Sequence, residues 1–214
     1  MRSNPVLALL TLLTYLSSTA VWAGAVSYAD APLGTVPAEF ETGQTGPGEP
    51  GRWEVVSDAE AAGGRAVAQS SQDRTDGRFP LLIRRAAAPA DLAVWTRIKP
   101  MAGEVDQAGG LAVRLLDPNN YYLVRANALE GNVRFYKVIG GRREQLASAD
   151  LPVQAGTWHM LRLEVRGDRF TVSFDGRELF AATDAAITAP GKVALWTKAD
   201  SVTRFDALNV EPLP

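Results

Sequence analysis

From residue 52 onward the chain alternates apolar and polar positions in short runs, with a period of two. Leu161, Leu163 and Val165 fall on one face of such a run, and Arg162, Glu164 and Arg166 on the other. Phe170, Val172 and Phe174 oppose Thr171 and Ser173 in the same way. A period of two belongs to a strand with one buried face. This pattern predicts strands at 52–56, 65–70, 80–84, 92–98, 111–116, 121–127, 133–139, 143–147, 158–166, 170–174, 178–182, 192–197 and 203–210. Gly140-Gly141, Gly167-Asp168 and Asp175-Gly176 separate several of them. Such dipeptides accept the positive φ that tight hairpins require. Helical periodicity is absent after the first residues, beyond at most one turn at 184–187. Many short strands with regular turns predict an all-β fold. So many strands in one domain predict two large antiparallel sheets, a jelly-roll sandwich.

The first residues follow a different pattern. Arg2 precedes an apolar run from Val6 to Leu16, and Ala20-Val21-Trp22-Ala23 offers small residues at both positions read for cleavage. This predicts a signal peptide over 1–23 and a secreted or periplasmic mature chain. The apolar run is shorter than the roughly 20 residues a spanning helix needs, and nothing later resembles a membrane span. Residues 24–36 read as a flexible N-terminal arm, and 37–214 as one domain. The segment 42–51, dense in Gly and Pro, reads as a surface loop.

Composition narrows the classes further. The chain has no Cys, so its stability must come from core packing, which 46% apolar content can supply. A net charge of −2 argues against a nucleic-acid partner, which wants a basic surface. No cofactor is expected: the Gly pairs are turns, and none opens a helix as a phosphate loop does. His159 is the only His, so neither a multi-His zinc site nor a Ser-His-Asp triad has support. Asp200 and Asp206 flank a strand and could hold loops or ligate calcium, which needs several oxygens gathered together.

Candidate chemistry concentrates in 107–146, where Arg, Tyr and Asn recur at strand spacing. Arg offers paired hydrogen bonds from a planar fork, and Tyr a ring with one hydroxyl. A face built this way suits a polar, flat-ringed ligand such as a sugar. The candidate binding residues are Arg114, Tyr122, Arg125, Asn127, Arg134 and Trp196, with Lys198 and Asp200 at the rim. By alternation alone Arg114 and Arg134 occupy even positions and Arg125 an odd one, so only the strand register decides whether they meet. The alternative is a solvated face with Arg stems lying on aromatics. Glu104 and Asp106 would place two carboxylates on one strand face if extended, but they lie in a loop before a strand.

The runs GGLAVRLLDPNNYYLVRAN, GTWHMLRLEVRGDRFTVSFDG and GKVALWTKADSVTRFDAL resemble concanavalin A-like jelly-roll domains. More closely they resemble the LamG-like group that includes the 3-keto-disaccharide hydrolase domain family. The resemblance spans about 40–210 and implies a two-sheet sandwich whose concave face, in many relatives, meets carbohydrate. The E-x-D-x-x-E strand of laminarinase-type glycosidases is incomplete here: Glu104-x-Asp106 is followed by Gly109. Three functions remain open on this basis. They are an exported carbohydrate-binding or carbohydrate-associated protein, a hydrolase of 3-keto-disaccharides or related glycosides, and a protein-interaction scaffold.

Overall fold

The computed structural model describes residues 24–214, and the expected signal peptide lies outside them. Fifteen strands follow in order: β1 Phe40–Thr45, β2 Trp53–Ser57, β3 Arg65–Gln69, β4 Phe79–Arg84, β5 Leu92–Ala102, β6 Ala108–Asp117, β7 Asn120–Asn127 and β8 Asn132–Ile139. Next come β9 Arg142–Asp150, β10 His159–Arg166, β11 Arg169–Phe174, β12 Arg177–Thr183, β13 Lys192–Trp196, β14 Val202–Phe205 and β15 Asn209–Pro212. Among the described residues the only helical element is a single 3-10 turn at Ala62–Gly64. No described helix is long and apolar enough to cross a membrane.

The strands form two antiparallel sheets. One runs β1-β4-β13-β6-β7-β8-β9, and the other β12-β11-β10-β5-β14-β3-β2, with β15 also on β5. Alternation decides which side chains meet between them. Leu111, Val113, Tyr122, Val124 and Phe135 point inward from the first sheet, against Leu92, Val94, Leu161, Leu163, Val165, Phe170 and Val172 of the second. Each such aliphatic or aromatic side chain stabilises the fold by about 1.5–3 kcal/mol relative to leaving it in water. The hairpin dipeptides act as their chemistry requires: Gly140 and Gly141 have φ of 55° and 75°, and Asp175 and Gly176 have 48° and 80°.

Three segments differ from the sequence reading. Residues 42–45, read as loop, complete β1 at the sheet edge, pairing with β4 only. An edge strand uses half of its backbone groups in the ladder and so tolerates a Gly-containing sequence. The run 203–210 is two strands, both paired with β5. They part at Asp206, whose carboxylate turns to the Arg97 guanidinium and the Ala62 N–H. Residues 24–36, expected as a flexible arm, are laid along the sandwich. Val26 exchanges both backbone bonds with Leu208, Gly34 N–H donates to Val55, and Tyr28 is buried beside Phe40.

The seven-stranded sheet is strongly curved. Thr45 lies on β1 and Tyr121 on β7, four strand spacings away, which is roughly 19 Å across a flat sheet. Their hydroxyls nevertheless lie 2.8 Å apart, and Thr45 also donates to the Pro118 carbonyl in the β6–β7 turn. Gly43 permits the approach: a Cβ there would lie 2.8 Å from Ile83 Cδ1 and 3.5 Å from Pro118 Cγ. The face turned away from the other sheet is therefore concave.

Candidate functional site

The concave face carries a second buried cluster, which includes Phe79, Leu81, Tyr121, Leu123, Tyr136 and Trp196. The ladders place its side chains in rows. Leu81 pairs with Trp196, Trp196 with Gly110, Gly110 with Arg125, Arg125 with Arg134, and Arg134 with Ser148. Register thus reunites Arg125 and Arg134, which counting along the chain had assigned to opposite parities. Gly110 leaves a gap in the row between Trp196 and Arg125. A Cβ there would sit 2.5 Å from the Val124 carbonyl oxygen.

Arg125 is almost wholly buried and bonded within the face. Its guanidinium donates to Asn132 Oδ1 at 2.6 Å, to Glu130 Oε2 at 2.8 Å and to the Tyr136 hydroxyl at 3.2 Å. Arg134 lies 3.3 Å from the same Glu130 oxygen. Burial alone would raise the Glu130 carboxyl, but the hydrogen bond and charge of Arg125, with Asn132 and Arg134, hold it below its ordinary value. Asn127 shapes the next turn, donating to Asp106 and accepting from the N–H groups of Leu129 and Glu130.

The rim residues also hold loops. Lys198 lies 2.9 Å from Asp106, and Asp200 accepts from the backbone N–H groups of Glu104, Val105 and Asp106. Burial works against the Asp200 charge, yet these N–H groups outweigh it and keep its carboxyl below the usual range. Burial raises the Asp106 carboxyl against the pull of Lys198. The Glu104 side chain, by contrast, pairs with Arg74 at 2.6 Å.

Two predicted site residues lie elsewhere. Arg114 sits at an irregularity in the β6–β7 ladder with φ of 47°, and its side chain leaves the concave face. It donates to the carbonyls of Ala90, Ile187 and Gly167 at 3.2, 2.8 and 2.6 Å and covers the Phe170 ring. Tyr122 points into the core between the sheets. Its hydroxyl donates to Asp184 Oδ1 at 2.6 Å and accepts from the Ile187 N–H at 3.1 Å, and burial pushes its pKa up to about 12. A run of Arg and Tyr carries no sign of a bulge or of which parity faces inward, so the sequence does not separate these two residues from the face.

Trp196 is on the expected face, but its ring is not an open stacking surface. It is fully buried beside Phe79 at 5.3 Å, under a residue the sequence reading did not single out. That residue is Arg143 of β9. Its guanidinium lies 4.5 Å from the Tyr136 ring centroid, 4.9 Å from Phe79 and 5.9 Å from Trp196. Three rings hold it in place by cation–π attraction. Among the described residues the Arg143 side chain makes no hydrogen bond or ion pair, and its NH1 group is buried without a partner. Only pairing with Val138, which shares a face with Tyr136, could have pointed to it.

The outer face of the eight-stranded sheet provides a contrast. Arg162 lies over Trp95 at 5.0 Å, and Arg97 and Lys99 flank Trp158 at 5.2 and 5.4 Å. Each of those cations has an acidic partner: Glu164 for Arg162, Asp206 for Arg97, and Asp58 with Glu60 for Lys99. His159 is held between Asp175 and Gln154. No group of three His, Cys, Asp or Glu side chains able to hold a metal occurs among the described residues.

Residues 98–213, more than half of the chain, match the family described as galactocerebrosidase, C-terminal lectin domain. The chain belongs to this family. The lectin-domain match takes in β6, β7, β8, β9 and β13 of the concave sheet, including Arg143 and Trp196, but not β1 or β4. The levanase of Bacillus subtilis (strain 168) is 28% identical over 121 residues, 56% of this chain but 18% of the enzyme, so the chain spans less than a fifth of that relative. The fold is also that of the carbohydrate-binding module CBM66 from Bacillus subtilis, with a TM-score of 0.63 and 23% identity over 81% of this chain and 97% of that one. Domain 4 of AbnA, an extracellular GH43 arabinanase from Geobacillus stearothermophilus solved with arabinotriose, gives a TM-score of 0.59 at 17% identity, covering 89% and 92%. The broad resemblance to jelly-roll carbohydrate-binding domains holds. The narrower likeness to the 3-keto-disaccharide hydrolase family is not what these relatives carry.

Proposed function

We propose that this lectin-domain family member is an exported carbohydrate-binding protein whose sugar site is the concave face around Arg143. One observation carries the reading: a guanidinium fixed over Phe79, Tyr136 and Trp196 has no protein acceptor. Buried donors are ordinarily satisfied, and a ligand rich in hydroxyl and ring oxygens supplies acceptors. The lectin family, the levanase relative and the two module-like folds support the same class of ligand. Arg134, next to the end of the row, with Lys198 at the rim, extends the polar surface a saccharide would cross. Export rests on the leader-like pattern of residues 1–23 and on the extracellular arabinanase among the structural relatives.

Binding is favoured over hydrolysis because the carboxylates of this face are already engaged. Glu130 serves Arg125, Arg134 and Asn132, and Asp106 serves Asn127 and Lys198. A glycosidase needs two carboxyl groups free to act on one glycosidic bond. Isothermal titration against a panel of neutral and acidic oligosaccharides tests the reading. At least one glycan is expected to give saturable heat with a Kd of roughly micromolar to millimolar, typical of −4 to −8 kcal/mol. Flat heats across the panel reject it.

A further inference from the structure

We infer that the Arg143 site selects a saccharide bearing an anionic substituent, a carboxylate or a sulfate ester; this rests on the carbohydrate-binding reading and narrows it. An open aromatic floor would favour a neutral ring by stacking, but here the aromatic floor is covered. Phe79, Tyr136 and Trp196 lie beneath the Arg143 guanidinium, and Trp196 has no exposed surface. What the face presents to a ligand is therefore a fixed cation.

That cation is not neutralised. Arg143 has no carboxylate within 4 Å among the described residues, whereas the cations beside Trp95 and Trp158 on the opposite sheet all have one. A cavity of about 430 Å³ lies at the β8–β9 edge, lined by Lys137, Ile139, Arg142, Arg143 and Glu144, of which Arg143 alone is on the concave side of the ladder. This falls within the roughly 300–1,000 Å³ of small-molecule sites. Three of those five residues are basic and one is acidic. Glu144 is drawn toward Lys137 at 3.4 Å, and Lys137 is also held by Asp184 at 2.9 Å. Among the described residues Arg142 and Arg143 have no acidic partner, but Arg142 shares its face with Ile139, so Arg143 is the unpaired charge on the concave side. A guanidinium binds a carboxylate or sulfate through two parallel N–H bonds, which are shorter and stronger than bonds to a neutral hydroxyl. The rings hold the Arg143 fork in place beforehand, so little freedom is lost when the anion docks.

The test compares trigalacturonic acid with the same trisaccharide after its carboxyl groups are reduced to alcohols, and with a sulfated galactotriose, by titration of the full chain. Either anionic ligand should bind at least about ten-fold more tightly than the neutral one, and the tighter of the two identifies the substituent. Its affinity should fall as sodium chloride rises, because the contact is charged. Arg143→Gln should remove the preference for charge, and Arg143→Lys should keep part of it. Unfolding temperatures of both variants show that they remain folded. Equal binding of acidic and neutral trisaccharides, or a charge preference unchanged in Arg143→Gln, overturns the inference and leaves carbohydrate binding standing. Absence of binding by every glycan overturns both.

Discussion

Arg125 stands directly opposite Arg134 in the β7–β8 ladder, and one Glu130 oxygen lies 2.8 Å from the first and 3.3 Å from the second. Like charges facing each other across strands destabilise a sheet, and a shared carboxylate converts the pair into a network. Glu130→Gln should therefore lower stability by about 1 kcal/mol, a modest figure because the carboxylate is partly exposed and screened. Chemical denaturation at low and high salt measures it, and the difference from wild type should shrink at high salt. An unchanged midpoint at low salt would show that the two guanidiniums do not depend on Glu130.

Arg114 has the opposite character, a charge used for construction. Its fork joins three carbonyls from separate loops over the Phe170 ring. Arg114→Met should cost about 2–4 kcal/mol, since the buried acceptors lose their donor. Thermal unfolding would show the loss, while glycan affinity measured well below the unfolding temperature should stay at the wild-type value. A selective loss of affinity in a fully stable Arg114→Met protein would return Arg114 to the site.

Asp200 ties the loop 103–106 to the β13–β14 connection through three backbone N–H groups. Its carboxyl is held below the ordinary value, so it favours folding when ionised. That contribution is fully present above the unfolded pKa of about 3.9 and is lost as pH falls through the lower folded value. Asp200→Asn should lower the unfolding temperature near neutral pH, and the gap to wild type should narrow below about pH 4. A gap that stays constant down to pH 2 would mean that the charge is not what secures the loop.

The period-two pattern makes the sandwich legible because each inward row must be apolar, and Leu161, Leu163 and Val165 show it without help. β1 was hidden because an edge strand needs no apolar alternation, and 42–45 carry Thr, Gly and Gln. The site was legible only in part. Arg125, Arg134 and Trp196 lie on one face, but which of their neighbours join them depends on register and on the irregularity at Arg114, and neither is written in local composition. Arg143 was missed for a related reason. It stands in a polar edge strand, and its value comes from Phe79 and Trp196, which are far away in sequence and brought under it by the curl of the sheet.

Sugar binding on the concave face at Arg143 can be read by NMR of isotope-labelled protein during titration with a bound glycan from the panel. Shifts are expected for the Arg143 side-chain N–H and the Trp196 indole N–H, with the indoles of Trp95 and Trp158 unmoved. Shifts at Trp95 and Trp158 with Arg143 and Trp196 unmoved would contradict it and place the ligand on the eight-stranded sheet.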